Sequence, residues 1–394
     1  MISWLGVALA GPALLLGPTY PGFGTLDDRR PVPVPVERAV ERADLAPDTG
    51  GRVAFNDPTG SRGQQYALVR RLDETIRSAR PGATVRLAAY SFAMPSTARA
   101  LLLAHERGAD VQVVVDDHSS HWEAVRRLHG ALGEDTSAPS FVQSCRLSCR
   151  GGRGNQHAKF LTVSASGRGD DLVMLGSMNL THYSAQRQWN DLYWVTDPAV
   201  HAQFVEMFTS MAQDRPQRRL VLSETRSGFQ TDVSPSSEVA SDDPLRERLR
   251  QVRCTGAAPG TGVDGRTVVR IAMHAWNGLR GIALALQVAE LRRAGCDIAV
   301  LYGTGMGRVV ANTLRRGGVP VRDSLHDGRR VHHKVMLLSG RYGGQRDVEF
   351  VWTGSHNWSD RSLRNDEVIL RVAGRPVVEA YLANFRRIWA LAAR

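Results

Sequence analysis

The 394-residue chain contains very little lysine: of its 50 basic residues only Lys159 and Lys334 are lysines, and the other 48 are arginines. Its four cysteines are too few for a disulfide-built scaffold. Beyond the first two dozen positions, no apolar run approaches the ~20 residues that a membrane-spanning helix needs. An HExxH helix motif is missing, and no second cysteine pair lies near Cys145 and Cys149. These absences argue against a zinc site.

The overall composition is that of a globular protein. Hydrophobic residues make up 42% of the chain and charged residues 23%, which excludes wholesale disorder. The formal net charge of +11 favours anionic partners, such as nucleic acid, a phospholipid surface or a phosphorylated substrate. Because an ammonium and a guanidinium are not interchangeable at a crowded site, the two remaining lysines mark places where arginine does not serve.

The N-terminal segment has the character of an export signal. Residues 1–24 carry no charge and include an apolar stretch of signal-peptide length, although the usual basic start is missing. A proline-rich spacer follows, so residues 1–50 are predicted to be a signal-like leader and spacer of a secreted protein. The alternative is a buried or disordered N-terminal extension.

The cysteine positions also suit an exported protein. Cys145 and Cys149 are close enough to bridge within a loop, and Cys254 and Cys296 could form a second pair. Four free thiols are the alternative.

A strand–helix–glycine–strand pattern occurs twice, at an offset of 183 to 187 residues. This repetition indicates an internal duplication, and the β-α-β order indicates a mainly parallel or mixed sheet flanked by helices. The sequence therefore predicts a first repeat over 51–222 and a second over 266–394. Residues 223–265, rich in Ser, Asp, Pro and Gly, are predicted to be an exposed connector.

Each repeat carries the same set of polar residues. The candidate site residues are His157, Lys159, Ser177, Asn179 and Asp191 in the first repeat, and His332, Lys334, Ser355, Asn357 and Glu367 in the second. Both lysines of the chain fall at the same place in the two repeats.

The spacing of these residues suits strands. In His-x-Lys the two side chains project from one face of a strand, and each Gly-Ser-x-Asn follows a neighbouring apolar strand. Two histidines, two lysines and two asparagines converging across a pseudo-twofold axis would form a pocket for a phosphodiester. The set contains no carboxylate cluster, so neither a metal nor a cofactor is expected.

This pattern resembles the phospholipase D superfamily, whose hallmark is a duplicated His-x-Lys-x4-Asp followed by Gly-Ser/Gly-x-Asn. The resemblance covers roughly residues 53–392. It implies an α/β, internally duplicated phospholipase D fold, with two mixed-sheet lobes and one active site at their interface. It also implies metal-independent phosphoryl transfer through a phosphohistidine.

The resemblance also implies roles for the site residues. One histidine attacks phosphorus and the other protonates the leaving oxygen, while the lysines and asparagines hold the phosphate oxygens. Carboxylates should hydrogen-bond the histidines, and we expect Asp191 to pair with His157, the predicted nucleophile. Glu367 is then expected to pair with His332, the general acid.

Other residues depart from the family pattern or are predicted to lie outside the chemistry. Ser164 and Ser339 stand where the family has its motif aspartates, which support the site without performing the chemistry. His333 should face away from the site, and His356 could touch substrate. The segment 116–118 is predicted to be a solvated strand end.

The leading functional prediction is a secreted phosphodiesterase of the phospholipase D type that cleaves the head group from a glycerophospholipid. Its expected partners are a phospholipid or other phosphodiester substrate and, transiently, a membrane surface. One alternative is a secreted, metal-independent nuclease acting on nucleic acid, and another is an inactive phosphodiester-binding protein. A cardiolipin-synthase role is disfavoured because no hydrophobic anchor follows the leader. With both repeats in one chain, the protein is expected to be a monomer.

Overall fold

The computed structural model describes residues 51–217, 223–235 and 243–392. The predicted leader and spacer lie outside these ranges. The first repeat contains β1 (Arg52–Phe55), α1 (Arg62–Gln65), α2 (Ala67–Arg77), β2 (Thr84–Ala89), α3 (Pro95–Glu106), β3 (Asp110–Asp116), α4 (Glu123–Leu132), β4 (Phe141–Cys145), β5 (Phe160–Val163), β6 (Leu172–Gly176), α5 (His182–Arg187), β7 (Gln188–Trp189), β8 (Asp191–Thr196) and α6 (Pro198–Ala212).

The second repeat follows the same plan. It contains β9 (Ser223–Arg226), β10 (Phe229–Ser234), α7 (Pro244–Gln251), β11 (Val252–Arg253), β12 (Val268–Trp276), α8 (Gly278–Arg293), β13 (Asp297–Met306), α9 (Arg308–Arg316), β14 (Val321–Asp323), β15 (Arg330–Val331), β16 (Lys334–Tyr342), β17 (Gln345–Gly354), β18 (Glu367–Ala373) and α10 (Arg375–Leu391).

Each repeat builds one mixed sheet, and the two sheets have matching strand orders. The first sheet runs β4-β3-β2-β5-β6-β8-β1, and the second runs β14-β13-β12-β16-β17-β18-β10-β9, with β11 added on β16. In both sheets the first three strands named are parallel, and the following pairings are antiparallel. The predicted duplicated α/β fold with two mixed sheets is confirmed.

The apolar residues of the strands and helices form a separate buried cluster in each repeat. In the first, α2, α3 and α4 cover the sheet with residues such as Leu72 and Leu101. In the second, α7, α8 and α9 do the same with Leu249 and Leu284. The cores therefore fix each sheet independently, and the chemistry falls where the two sheets meet.

The sequence predicts that segment 223–265 is an exposed connector. In the structure, parts of this segment are buried strand and helix. Strand β10 pairs with β18 as β1 pairs with β8, and Leu245 and Leu249 of α7 are buried. Polar composition concealed these elements because their buried face includes an ion pair between Arg248 and Asp232. The segment thus supplies the first strand and helix of the second repeat.

Both cysteine pairs form disulfides, Cys145–Cys149 and Cys254–Cys296. The first closes a short loop after β4, and the second ties the segment after β11 to the start of β13. No helix within the described ranges has the length and apolar character needed to cross a membrane.

Candidate active site

The two His-x-Lys segments lie at the N-terminal ends of internal strands, β5 and β16, and each contacts the other repeat. Strand β5 is antiparallel to β2, so the N-terminal end of β5 lies beside the C-terminal end of β2, and β16 and β12 repeat this arrangement. The backbone N–H of His157 donates to the carbonyl of Asp366 (3.0 Å), and that of His332 donates to the carbonyl of Trp189 (2.9 Å). These paired hydrogen bonds place each motif histidine against the opposite repeat.

His157 is held by a carboxylate of the second repeat. Its Nδ1 lies 2.7 Å from Glu367 Oε2, and both side chains are buried. Burial lowers the pKa of His157 to about 4, although Glu367 acts in the opposite direction. Burial alone would raise the pKa of Glu367, but His157 and its hydrogen bond lower it to about 2. Glu367 is therefore an anion that accepts the Nδ1 proton and leaves Nε2 as the free nitrogen.

His332 is held by an amide instead. Its Nδ1 lies 2.9 Å from Asn190 Oδ1. The Asn190 Nδ2 donates to the carbonyls of Ser184 and Gln188, at 3.0 Å and 3.1 Å, which fixes the orientation of the amide. Since Oδ1 can only accept, His332 must donate from Nδ1 and carry its lone pair on Nε2.

The predicted carboxylate pairing is therefore wrong in two respects. The partner of His157 is Glu367, across the repeat interface, and Asp191 bonds neither histidine. Asp191 instead accepts hydrogen bonds from Ser177 (2.6 Å), Thr353 and Tyr381 (2.7 Å). Thr353 and Tyr381 belong to the second repeat, so Asp191 joins the two lobes.

The error comes from a shift of one residue on a strand. In the antiparallel pairing, Gly176 lies opposite Leu192 and Gly354 opposite Ile369, so Asn190 corresponds to Glu367. Side chains alternate between the faces of a strand, which turns Asp191 away from the site.

Both motif lysines are buried, and this burial is the main influence on their pKa values. Burial lowers the pKa of Lys159 to about 7, opposed by Glu367 and Asp116. Burial, and then the charge of Lys159, lowers the pKa of Lys334 well below its usual range. Because the charge of Lys159 acts on Lys334, and Glu367 acts on both lysines, the two motifs belong to one electrostatic site.

The lysines differ in what they contact. The Lys159 ammonium donates to the backbone carbonyl of His157 (2.6 Å), whereas Lys334 Nζ lies 3.0 Å from His332 Nε2. The described part of the chain places no hydrogen-bond partner on His157 Nε2. His157 thus presents an unoccupied Nε2, whereas His332 Nε2 accepts a hydrogen bond from Lys334.

The Gly-Ser-x-Asn segments follow β6 and β17 and place the candidate serines and asparagines on the same side of the sheets as the His-x-Lys segments. A Cβ at Gly176 would lie 2.2 Å from the carbonyl of Asp191, so glycine is required where the strands approach. Ser355 Oγ accepts from the backbone N–H of Val368 (3.1 Å), and Ser177 binds β8 in the same way. These serines fix the turns. Asn179 and Asn357, at the ends of the turns, are only partly buried.

Asn179 has an amide oxygen that is buried and has no hydrogen-bond partner, whereas Asn357 Oδ1 accepts from the N–H of Ala275 (3.2 Å). Their Nδ2 groups are suited to donate to phosphate oxygens.

Comparison with known proteins assigns the chain to a family. One protein family, described as “Cardiolipin synthase, PLD-like domain”, matches this chain. The match covers residues 72–212 and 267–389, which make up most of both repeats. The chain belongs to the phospholipase D superfamily.

Individual relatives are more distant. Mitochondrial cardiolipin hydrolase of Canis lupus familiaris is 30% identical over 95 residues, which are 24% of this chain and 32% of the relative. The match thus spans about a third of the length of that relative.

Solved structures share the fold. Phosphatidylserine synthase of Haemophilus influenzae Rd KW20 superposes with a TM-score of 0.56 at 12% identity, covering 86% of this chain and 87% of that one. Polyphosphate kinase of Porphyromonas gingivalis gives 0.56 at 14% identity, covering 86% and 50%.

Sequence reasoning missed two aromatic residues of this phospholipase D site. Tyr90 directly follows β2, and His274 lies near the C-terminal end of the corresponding strand β12. Each ring packs edge-on against a motif histidine. The ring centroids are 4.7 Å apart for Tyr90 and His157, and 4.5 Å for His274 and His332. Burial lowers the pKa of His274 to about 3, which keeps it neutral. The signal was their shared position at the strand ends of the two repeats.

The segment 116–118 is not a solvated strand end, contrary to the prediction. Asp116 is buried; its Oδ1 lies 2.5 Å from His118 Nδ1, and its Oδ2 accepts from the N–H of Gln156 (3.0 Å). His118 Nε2 is 3.1 Å from Ser91 Oγ. Asp116 therefore positions the chain directly before His157.

The serines in place of the family aspartates lie far from the histidines. Ser164 Oγ accepts from the N–H of Thr84 (2.8 Å), and Ser339 Oγ donates to Glu349 (2.9 Å). Ser164 is five residues beyond Lys159, or about 17 Å along an extended strand. Both serines therefore form these hydrogen bonds away from the motif histidines.

Two further histidines serve the structure around the site. His333 packs against Phe55, with 6.1 Å between the ring centroids. His356 is buried with its Nε2 3.2 Å from an Arg280 nitrogen, and Arg280 forms an ion pair with Asp243 (2.6 Å). His356 thus stabilises the Gly-Ser-x-Asn turn through its contact with Arg280.

One group of His, Cys, Asp and Glu residues in the described ranges has metal-ligand spacing: Cys145, Cys149 and Asp214. Its two cysteines are joined in a disulfide, so the group does not have the free thiolates that a metal requires.

Proposed function

We propose that the protein hydrolyses glycerophospholipids at the phosphodiester bond of the head group, through a covalent intermediate on His157. The observation that carries the chemistry is the pair of motif histidines, each with Nδ1 bonded by the opposite repeat, which leaves Nε2 as the reactive nitrogen. A histidine held in this way is prepared to act as a nucleophile or as an acid.

In the first step, His157 Nε2 attacks phosphorus, and a P–N bond forms as the bond to the head-group oxygen breaks. The leaving oxygen takes a proton from His332. In the second step, His332 removes a proton from water, the water oxygen attacks phosphorus, and the P–N bond breaks. Lys159, Lys334 and the asparagines stabilise the charge on the non-bridging oxygens.

The carboxylate of Glu367 favours His157 as the nucleophile. Attack leaves positive charge on the imidazole, and an anion at 2.7 Å stabilises that charge better than the neutral amide beside His332. Burial and then Lys334 hold the pKa of His332 well below its ordinary value. A phosphate anion bound between the lysines would raise the pKa of His332 and so favour the protonated form that acts as the acid.

The distribution of exposed apolar side chains favours a lipid substrate over nucleic acid. Six large apolar side chains in the described ranges are exposed. Five of them lie beyond the C-terminal ends of strands, on the side of the sheets where the motif histidines lie. They are Leu147 after β4, Tyr183 after β6, Leu279 after β12, Val309 after β13 and Leu325 after β14. Leu279 is 80% exposed. An apolar rim around a phosphodiester site suits insertion at a lipid interface.

Cleavage of nucleic acid is the second candidate, supported by the net charge of +11. The third, phosphodiester binding without catalysis, would leave the free His157 Nε2 unused.

Export and a monomeric state belong to the same proposal. Two disulfides support an oxidising compartment. One chain supplies both histidines and both of their partners, so a second copy is not needed to complete the site.

The test offers purified protein phospholipid vesicles and plasmid DNA in parallel, in the presence of EDTA. We expect release of the head group, no nicking of DNA, and loss of activity in His332→Ala. DNA cleavage without lipid cleavage would establish the nuclease, and neither reaction would establish the binding protein.

The apolar rim has its own matched control. Leu279→Ser/Val309→Ser should lower the rate on vesicles at least several-fold while leaving cleavage of the soluble diester bis(p-nitrophenyl) phosphate unchanged. Leu286→Ser, an exposed residue in the middle of α8, should change neither rate. Equal effects of the two variants on vesicles would contradict the lipid interface.

A further inference from the structure

Asp116, His118 and Ser91 form a connected set of hydrogen bonds that the phosphodiesterase mechanism does not use. His118 Nδ1 lies 2.5 Å from Asp116 Oδ1, and His118 Nε2 lies 3.1 Å from Ser91 Oγ. A carboxylate, an imidazole and a hydroxyl joined in this order are the groups that activate a serine nucleophile. All three residues lie at or just beyond the C-terminal ends of β2 and β3.

The surrounding hydrogen bonds fix the direction of proton donation. Because Asp116 accepts the Nδ1 proton of His118, Nε2 carries a lone pair and accepts from a hydroxyl group. Ser119 Oγ also lies within 3.3 Å of Nε2, but its proton is donated to the backbone carbonyl of Tyr90 (3.0 Å). Ser91 is therefore the serine whose hydroxyl donates to His118.

The imidazole is held in place and is still accessible. Asp116 is buried, and the ring of His118 packs between Tyr90 and Trp122, with 4.4 Å and 5.3 Å between the ring centroids. The side chain of His118 is 34% exposed, and Ser91 is only partly buried. A small substrate can thus reach the base and the hydroxyl together.

The serine is not part of the duplicated framework. Phe92 and Trp276 each form a parallel bridge with the residue that follows the Gly-Ser-x-Asn segment of their own repeat. The residue before each of them is Ser91 in the first repeat and Ala275 in the second. The structure therefore does not need a hydroxyl at this position of the fold.

The two repeats also differ in the backbone N–H at this position. In the second repeat the N–H of Ala275 donates to Asn357 Oδ1 (3.2 Å). In the first repeat Asn179 Oδ1 is buried and has no partner among the described residues, so the corresponding bond is not made. The N–H of Ser91 is not committed to Asn179 and can donate to the carbonyl oxygen of a bound ester.

A small apolar cavity beside Ser91 limits the size of the acyl group. It has a volume of about 30 Å³, and its lining includes Leu87, Met178 and Leu180 together with Ser91 and Asn179. This volume holds about two water-sized groups. The cavity therefore suits a short acyl group such as acetyl and excludes a fatty acyl chain.

We propose that Ser91, His118 and Asp116 hydrolyse short-chain carboxylic esters, an activity separate from phosphodiester cleavage. Ser91 Oγ attacks the carbonyl carbon, and its proton passes to His118 Nε2. The bond to the leaving alcohol breaks, and the alcohol oxygen takes that proton. Water then gives a proton to His118 and attacks the acyl carbon, the bond to Ser91 Oγ breaks, and Ser91 regains its proton. Asp116 orients the imidazole and stabilises its positive charge.

Covalent labelling of the native protein tests the nucleophile directly. The protein is treated with methanesulfonyl fluoride, a small reagent that reacts with activated serines, and digested with trypsin for mass spectrometry. We expect a methanesulfonyl group on Ser91, within the peptide of residues 87–99. His118→Gln should reduce the labelling at least tenfold, because the base that activates the hydroxyl is lost.

Hydrolysis of p-nitrophenyl acetate measures the activity. Ser91→Ala and His118→Gln should each lower kcat/KM at least about 10²-fold. Ser137→Ala, an exposed serine in the same repeat, is the control and should keep the native rate. Ser91→Ala should still cleave bis(p-nitrophenyl) phosphate, which separates loss of a nucleophile from damage to the fold.

Two results would overturn the proposal: native protein that is not labelled on Ser91, or acetate hydrolysis that continues at the native rate in Ser91→Ala. If Ser91→Ala loses both activities, the labelling of the native protein decides, since it needs no variant. The ester reaction does not involve the motif histidines, so failure of the phosphodiesterase proposal would leave this test intact.

Discussion

At the scale of single residues, the two motif histidines have the same sequence context but different partners. His157 is bonded to an anion, Glu367, and His332 to an amide, Asn190. Lys159 donates to a backbone carbonyl, whereas Lys334 contacts the ring of His332. These differences support our proposal that His157 attacks phosphorus and that His332 transfers the proton.

Removing either histidine should abolish turnover. We expect His157→Ala and His332→Ala each to lower kcat about 10³-fold or more, because nucleophile and acid act as one unit. The measurement is the rate on bis(p-nitrophenyl) phosphate, with His105→Ala as a control. Retention of a tenth of the activity in either variant would rule out the shared site.

Glu367 should affect both the rate and its pH dependence. Because Glu367 raises the pKa of His157, Glu367→Gln should lower that pKa and move the acid limb of the kcat/KM profile to lower pH. The rate should fall about 10²- to 10⁴-fold through loss of the orienting anion. Glu247→Gln, on the exposed side of α7, serves as the control. A profile that stays in place would contradict the pairing of Glu367 with His157.

The buried lysines should reduce stability while supporting activity. The pKa of Lys159 falls from 10.5 to about 7 on folding, so between these values the unfolded chain binds more protons. Stability therefore rises with pH across this window, and neutral pH lies at its unfavourable end. Lys159→Met should raise the Tm at pH 7.5 and abolish turnover. A lower Tm for this variant would show that the lysine stabilises the fold.

At the scale of helices and strands, sequence patterns predict the buried elements well and the polar ones poorly. The strand–helix–strand pattern predicted for each repeat is present as β2-α3-β3 and β12-α8-β13. Strand β10 and helix α7 were missed because an ion pair and short apolar stretches replace a continuous hydrophobic pattern.

The histidine partners could not be predicted for a related reason. The pairs 190–191 and 366–367 each offer two polar side chains on opposite faces of a strand. Only the pairing of Gly176 with Leu192 decides which one faces the site. The positions of the catalytic candidates follow from the sequence, but the hydrogen bonds between repeats do not.

The second disulfide should stabilise the second repeat. The Cys254–Cys296 bridge closes a loop with a sequence separation of 42 residues. Cys254→Ser/Cys296→Ser should lower the free energy of unfolding by about 2–4 kcal/mol, as urea denaturation would measure. The corresponding change at Cys145 and Cys149, four residues apart, should cost less because the loop is short. The opposite order of effects would contradict this account.

At the scale of the whole molecule, duplication creates an active site that neither repeat contains alone. Each motif histidine is positioned by a side chain and a backbone carbonyl of the other repeat. Asp191 joins the lobes from within the interface through Thr353 and Tyr381. Catalysis therefore depends on the docking of the two lobes.

The most direct test of the account is to trap the covalent intermediate. The protein is mixed with bis(p-nitrophenyl) phosphate, denatured rapidly at alkaline pH, where phosphohistidine survives, and digested for mass spectrometry. We predict a phosphoryl adduct on the peptide containing His157, absent from Glu367→Gln under the same conditions. An enzyme that turns over without an adduct on either histidine, or with an adduct on His332 alone, would contradict the assignment of His157 as nucleophile.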